Sequence, residues 1–187
     1  MLSTLRDAWK VPELRKRILF TLFMVIIFRV GNFIAVPGID TSKLTELTGS
    51  GSLLGFYDLL SGGAFSRFSI FAMGVIPFIN SSIIMQLLNV AVPRLEQLSK
   101  EGEEGRKKIQ EYTRYASIPL GVIQGFSIYA IISRAGALVD PGNKLSIFMI
   151  VFTVTTASTF LMWLGDKITE HGIGNGISLI IFVNIVS

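Results

Sequence analysis

The chain has 187 residues, 50% of them hydrophobic and 16% charged, against about 25% charged in an average soluble domain. Its 17 basic and 13 acidic residues crowd into short stretches and leave long windows with one charge or none, which is the pattern of membrane spans. The absence of cysteine and the single histidine, His171, exclude disulfide frameworks, thiol nucleophiles and Cys- or multi-His zinc sites. The net charge of +4 does not point to nucleic acid, because the basic residues flank apolar windows instead of forming an aromatic-studded patch.

Residues 1–17 form a basic N-terminal segment with Arg6, Lys10, Arg15, Lys16 and Arg17. The window from Ile18 to Val36 holds 19 residues with Arg29 as its only charge, enough to cross ~30 Å of hydrocarbon at ~1.5 Å per residue. It is too long for a signal-peptide core and no Ala-x-Ala site follows, so it is predicted as the first span, ended by the turn Pro37-Gly38-Ile39-Asp40. Residues 37–60 are predicted as a loop that becomes Gly- and Ser-rich and closes on Ser61-Gly62-Gly63.

The window from Ala64 to Val92 is 29 residues long, with Arg67 near its start, Pro77 in the middle and Asn80-Ser81-Ser82 just after. Proline removes a backbone bond, and polar residues at that depth suggest a broken helix. Two half-helices are expected, roughly 64–76 and 79–92, the first a re-entrant element within 61–76 and the second the span over 77–92. Residues 93–114 carry six basic and five acidic residues and are read as an aqueous loop. A third span is predicted over 115–133 and a fourth over 145–164, joined through 134–144 and the turn signal Asp140-Pro141-Gly142-Asn143. After a loop at 165–172, a fifth window begins near Ile173 and stops at Ser187, short of the ~20 residues of a span; a helix cut within its length is expected. Twelve Lys and Arg on one side against Lys43, Arg134 and Lys144 on the other place the N-terminus in the cytoplasm.

No Asp or Glu lies in any of the five windows, which removes the buried carboxylates of proton relays, intramembrane aspartyl proteases and cation-coupled carriers. Gly102 to Lys108 lacks the Gly-Lys-Ser/Thr ending of a phosphate loop. An enzyme is not expected, and neither a cofactor nor a metal is implied.

If helical register survives Pro77, Val75, Ile79, Ser82, Gln86 and Asn89 fall on one stripe, apolar at one end and polar at the other. A wet funnel narrowing to an apolar collar closes a pore by dewetting; the same pattern fits plain packing residues. Gly63, Ser66, Arg67 and Gly74 share one face of a short segment whose other side carries Phe65, Phe68, Phe71 and Ala72, which fits either a movable stopper or a static support. Ser117, Gly121 and Gly125, and Thr155, Ser158 and Thr159, have the spacing of close helix contacts. Gln124 is expected to meet Asn80 across such a contact and to hydrogen-bond with it. Arg29 and Asn32 are expected to snorkel outward or to satisfy each other's surroundings, and His171 is expected to be a plain loop residue.

Pro37-Gly38-Ile39-Asp40, Ser61-Gly62-Gly63-Ala64, the run Lys100 to Arg114 ending Tyr112-Thr113-Arg114-Tyr115, Met162-Trp163-Leu164-Gly165 and Gly172-Ile173-Gly174-Asn175-Gly176 occur in order along the chain. Together they closely resemble the SecY family of bacterial protein-conducting channels. The resemblance implies an all-α multi-span membrane protein, of which this chain is the N-terminal half of a ten-helix, pseudo-two-fold clamshell with a broken second helix. It implies a plug at Ser61, Gly62, Gly63, Ala64, Phe65, Ser66, Arg67 and Phe68, a pore ring with Val75, Ile79 and Ile181, and lateral-gate positions at Asn80 and Gln124. Family members often carry isoleucine at the first ring position, so Val75 is a mild loss of side-chain volume. Implied partners are SecE, SecG, the SecA ATPase, the ribosome, secretory preproteins with their signal sequences, and membrane lipid, in the bacterial cytoplasmic membrane. Half of a secondary transporter built on inverted repeats and a non-transporting scaffold are the competing classes. The first would need a midplane solute site, for which only Asn80, Ser81, Ser82 and Gln124 are available.

Overall fold

The computed structural model describes residues 11–48, 55, 56, 58, 61–139 and 144–186, and these are helical with two isolated β-bridges and no strand. The expected N-terminal segment 1–10, most of 49–60 and the turn at 140–143 lie outside the described residues. The helices are α1 (Pro12–Gly31), α2 (Thr41–Leu47), α3 (Ile76–Ala91), α4 (Pro93–Lys100), α5 (Glu103–Arg134), α6 (Lys144–His171) and α7 (Gly176–Val186). By length and composition α5 and α6 are able to cross a membrane, and α3 with α4, bent by 100° at their junction, make a third if counted as one span.

Helix α1 stops at Gly31, five residues before the predicted end of the first span. The reason is local competition for backbone bonds. The Val36 N–H donates to Phe68 O at 2.9 Å and the Ile70 N–H donates to Ile34 O at 2.8 Å, with a bridge between Ala35 and Ser69. Gly31 is the residue that permits this, because a Cβ there would run into the Phe71 ring. The helical apolar part, Ile18 to Gly31, is therefore 14 residues or ~21 Å long.

The break in the second window is also differently placed. Residues 61–75 are a succession of tight turns, not a half-helix. Positive φ at Gly62 (64°), Gly63 (75°), Phe68 (41°) and Gly74 (55°) takes the chain off a right-handed path, and short-range bonds such as Phe68 N–H to Phe65 O at 2.9 Å close each turn. Pro77 lies in the first turn of α3, where its missing N–H costs no hydrogen bond, so it starts a helix instead of breaking one. The sharp bend comes at Val92, the extended residue before Pro93.

Two stretches expected as loops are helical. The charged run 93–114 is α4 followed by the first turns of α5, and 165–172 is the end of α6. Exposed charged residues are good helix formers, and nothing in Gly165 to His171 breaks the ladder. Gly165 serves packing: a Cβ there would lie 3.0 Å from Ile177 Cγ1, and one on Gly176 would run into the Gly165 carbonyl. The pair lets α6 and α7 cross backbone to backbone, the small-residue contact typical of membrane helices. The stripe Ser117, Gly121 and Gly125 is buried. Cβ atoms on its glycines would lie 3.3 Å from Thr155 Cγ2 and 3.4 Å from Val151 Cγ1, so α5 packs closely on α6.

The interior divides into two apolar clusters. Phe65, Phe68, Ala72 and Met73 of the turn segment pack with Val36, Leu44, Ile132, Leu138, Ile150 and Val154 in one. The other joins Met24 and Phe28 of α1, Phe71 and Val75, Leu161, Leu164 and Ile168 of α6, and Ile180 of α7.

Candidate functional site: an apolar cluster beside a turn segment

The candidate site starts from register. Val75 caps α3, and its carbonyl accepts the Ile79 N–H at 3.1 Å, which stacks the two side chains one turn apart. Helix α7 is returned alongside by the Gly165–Gly176 crossing, and its Ile181 packs against the same cluster as Val75 and Ile79. Residues about a hundred positions apart in the chain thus share one apolar cluster. Ile79 and Ile181 are half-buried, whereas Val75 is 4% exposed. Along α3 the stripe continues through half-buried Ser82 to exposed Gln86, whose Nε2 donates to Ser82 Oγ at 3.4 Å, and on to half-buried Asn89.

The turn segment is held on its apolar side and by its own polar groups. Ser61, Ala64, Phe65 and Phe68 are buried, Gly62, Gly63 and Ser66 are half-buried and Arg67 is exposed. Asp58 organises the fold: its carboxylate Oδ1 accepts the Ser66 N–H at 2.7 Å, and its carbonyl accepts the Ser61 Oγ–H at 3.0 Å and the Gly63 N–H at 2.9 Å. Ser61 Oγ in turn accepts the Phe65 N–H at 3.2 Å, and the Ser66 hydroxyl donates to Gly63 O at 3.2 Å.

The expected hydrogen bond between Asn80 and Gln124 does not form; both are half-buried and no bond joins them. The polar contact between α3 and α5 is made one residue on, where the Ser81 hydroxyl donates to Thr113 O at 2.7 Å. A helix turns about 100° per residue, and aiming Ser81 at α5 carries Asn80 out of that contact.

Three polar contacts were not visible as pairs in the sequence. Asn32, expected to snorkel or to satisfy the surroundings of Arg29, is 7% exposed, and its Nδ2 donates instead to Asn184 Oδ1 at 3.4 Å, joining α1 to α7. Thr21 Oγ1 accepts the Ile173 N–H at 3.2 Å while donating to Arg17 O at 2.8 Å, which fixes the other end of the same pair of helices. Asp166, buried just past the fourth apolar window, pairs with Arg114 Nε at 2.8 Å and accepts from Gln110 Nε2 at 3.2 Å. The first two join residues 152 apart in the chain, a separation at which sequence spacing carries no signal. His171 is exposed, with its ring 5.9 Å from that of Phe20 and its Nδ1 3.7 Å from Glu170 Oε2. Among the described residues no group of three or more His, Cys, Asp or Glu is placed to hold a metal.

The SecY family model matches residues 69–187. The chain belongs to the SecY family. The protein translocase subunit SecY of Thermus thermophilus is 46% identical over 193 residues, covering the whole of this chain and 44% of that protein. The SecY of Escherichia coli K12 is 45% identical over 181 residues, covering 94% of this chain and 41% of its own. The chain therefore spans a little under half the length of these SecY relatives. Among solved structures, Sec61 in the canine ribosome-channel complex from the endoplasmic reticulum superposes with a TM-score of 0.66 at 19% identity, over 92% of this chain and 36% of that one. A structure described as a protein conducting channel matches to the same extent. These similarities show the helical channel fold, and the SecY relatives with the apolar helices place the chain among membrane proteins.

Proposed function

We propose that this chain forms the N-terminal half of a protein-conducting channel, through which unfolded polypeptides cross the bacterial cytoplasmic membrane and from which apolar segments leave sideways into lipid. The observation that carries this is the convergence of Val75, Ile79 and Ile181 on one apolar cluster beside the turn segment 61–68. Three branched aliphatic side chains around a passage exclude water and ions when it is empty and fit around an extended chain when it is full. In this reading Val75, buried in the cluster that holds Phe71 and not in the one that holds Phe65 and Phe68, becomes accessible when a shift of residues 61–68 as a plug carries Phe71 with it. The polar end of the stripe, Gln86 and Asn89, faces the cytoplasmic funnel.

Asn80 and Gln124 act as lateral-gate positions toward the half of the clamshell outside this chain, each supplying an amide that a signal sequence must displace or satisfy. The excess of Lys and Arg in 1–17, 93–114 and 165–172 supports a cytoplasmic N-terminus. Nothing in the chain's sequence supplies a nucleotide site, so the driving force comes from SecA or from translation on the ribosome. SecE and SecG complete the assembly in this reading, and secretory preproteins are the cargo. Lateral release follows the transfer free energy of the segment, roughly 25 cal/mol per Å² of apolar area.

The test is made on the full-length channel with its partner subunits in planar bilayers. Glycine at both Val75 and Ile79 removes bulk and apolar area from the collar, and a several-fold rise in resting ion conductance is expected. Conductance equal to that of the unmodified channel would remove these residues from the collar. Leucine at Asn80 or Gln124 is expected to shift the hydrophobicity that a signal sequence needs for export, read from a graded signal series; an unmoved threshold would remove the gate assignment.

A further inference from the structure

At the Gly31 end of α1 a cavity of about 140 Å³ opens between Arg29, Asn32, Phe33, Gly62, Gly63 and Arg67. Its two arginines come from separate elements, the last turn of α1 and the turn segment. Among the described residues neither guanidinium makes an ion pair or a side-chain hydrogen bond; Arg67 rests 5.6 Å over the Phe33 ring and Arg29 is half-buried. No carboxylate lines the cavity, and the nearby Asp58 carboxylate is engaged by the Ser66 N–H. Two like charges facing one small cavity repel each other, and the half-buried Arg29 is incompletely solvated besides. An oxyanion between them removes both penalties, and paired guanidinium forks suit the oxygens of a phosphate.

The surroundings point to the source of that phosphate. Leu22, Ile26 and Arg29 follow at steps of four and three, one stripe of α1, and Phe33 lies in the turn just past its end. Leu22 and Ile26 are 51% and 58% exposed and Phe33 66%. A helix that spans lipid turns such a stripe toward acyl chains, and here the stripe leads to the two cations. We propose that this cavity binds the phosphate of an anionic phospholipid, with an acyl chain along Leu22 and Ile26, and that the bound phosphate bridges Arg29 to Arg67 and so ties the 61–68 segment to α1. A zwitterionic headgroup fits less well, because its ammonium would meet two guanidiniums in a cavity whose lining among the described residues holds no carboxylate.

The test uses the full-length channel with its partner subunits in nanodiscs of phosphatidylglycerol or of phosphatidylcholine, compared with the variants Arg29→Gln, Arg67→Gln and, as a distant basic control, Arg134→Gln. Amide hydrogen exchange over residues 64–74 is expected to be about tenfold slower in phosphatidylglycerol, the effect of a site filled at ~10 times its dissociation constant. That protection disappears in Arg29→Gln and Arg67→Gln and persists in Arg134→Gln. Native mass spectrometry is expected to count one fewer retained phosphatidylglycerol in each of the first two. Arg67 is exposed, so its variant keeps the fold, and Arg29→Lys, which retains the charge, is expected to restore part of the effect. Inorganic phosphate that gives the same protection in phosphatidylcholine discs would support the oxyanion site with a free ion as its source. Protection that is equal in both lipids and lost in the variants would overturn the proposal in favour of an acidic side chain elsewhere in the longer protein, and protection unchanged in all variants would overturn it outright. Lipid retention at this cavity is independent of conductance at Val75 and Ile79, so either result leaves the other assignment standing.

Discussion

Single side chains join this fold where hydrophobic burial does not discriminate, since lipid is as apolar as leucine. Asn32 and Asn184 pair at one end of α1 and α7, and Thr21 receives the Ile173 N–H at the other. An interhelical hydrogen bond in a membrane protein contributes about 0.6 kcal/mol on average and up to ~1.7. Asn32→Leu and Asn184→Leu should each lower unfolding stability by about 0.5–1.5 kcal/mol in the full-length protein. The double variant should be no less stable than the worse single one, because one bond is being removed. Denaturant unfolding in detergent of the four proteins measures this, and simple additivity would show that the amides act separately. Gly176→Ala is a sharper case: its Cβ would run into the Gly165 carbonyl, and overpacking of this kind costs ~1–3 kcal/mol. Displacement of α7 should accompany that cost and carry Ile181 with it, so resting conductance should rise as stability falls.

At the scale of elements, the turn segment 61–75 is defined by what it buries. Phe65 and Phe68 are 2% and 0% exposed, and Phe68 keeps a left-handed backbone with its carbonyl bound by the Val36 N–H. Phe68→Ala should destabilise the protein by ~3–5 kcal/mol, the usual cost of removing a buried phenyl ring. It should also loosen channel closure more than it slows export, measured as leak against translocation rate; lost export with an unchanged leak would contradict a stopper role. The failure of the expected half-helix has a physical cause that periodicity does not reveal. Phe65, Phe68, Phe71 and Ala72 have the spacing of a helix face and are all buried, but the chain meets that spacing through glycine-permitted turns bonded to the residues after α1. Pro77 illustrates the same ambiguity, since a proline within an apolar window marks a break or a start with equal right, and only the turn before it decides. The Asn80–Gln124 pairing fails for a rotational reason: Ser81 takes the contact with Thr113 O, and one helical position is enough to exclude its neighbour.

At the scale of the whole molecule, the long windows of 115–133 and 145–164 become the cores of α5 and α6, because nothing competes with the helical ladder in an unbroken apolar run. Helix ends were less legible: α5 begins and α6 ends in charged sequence that reads as loop by composition alone. The stripe of Val75 and Ile79 was legible as a register, since the two are one turn apart in sequence and in structure. Ile181 came from the family resemblance and not from spacing, and it packs against the same cluster as Val75 and Ile79. The pair of half-buried Arg114 and buried Asp166 links α5 to α6 where both leave the apolar windows. Burial raises the Asp166 pKa against the pull of Arg114. Asp166→Asn removes a poorly solvated charge and keeps an acceptor for Gln110, so it should change stability by less than ~1 kcal/mol, whereas Asp166→Leu should cost ~1–3 kcal/mol through the partners left unsatisfied. An unchanged unfolding midpoint in Asp166→Leu would show the pair to be incidental.

The central claim is that a polypeptide passes between Ile79 and Ile181. It is tested most directly by placing a photo-crosslinking amino acid at Val75, Ile79 or Ile181 of the full-length channel, and at Phe148, which is 67% exposed on α6, and then irradiating a translocation intermediate stalled partway. Adducts to the stalled chain from Ile79, Ile181 and, with the 61–68 segment displaced, Val75, and none from Phe148, are the predicted result. Adducts from Phe148 in the absence of any from Ile79 and Ile181 would contradict it.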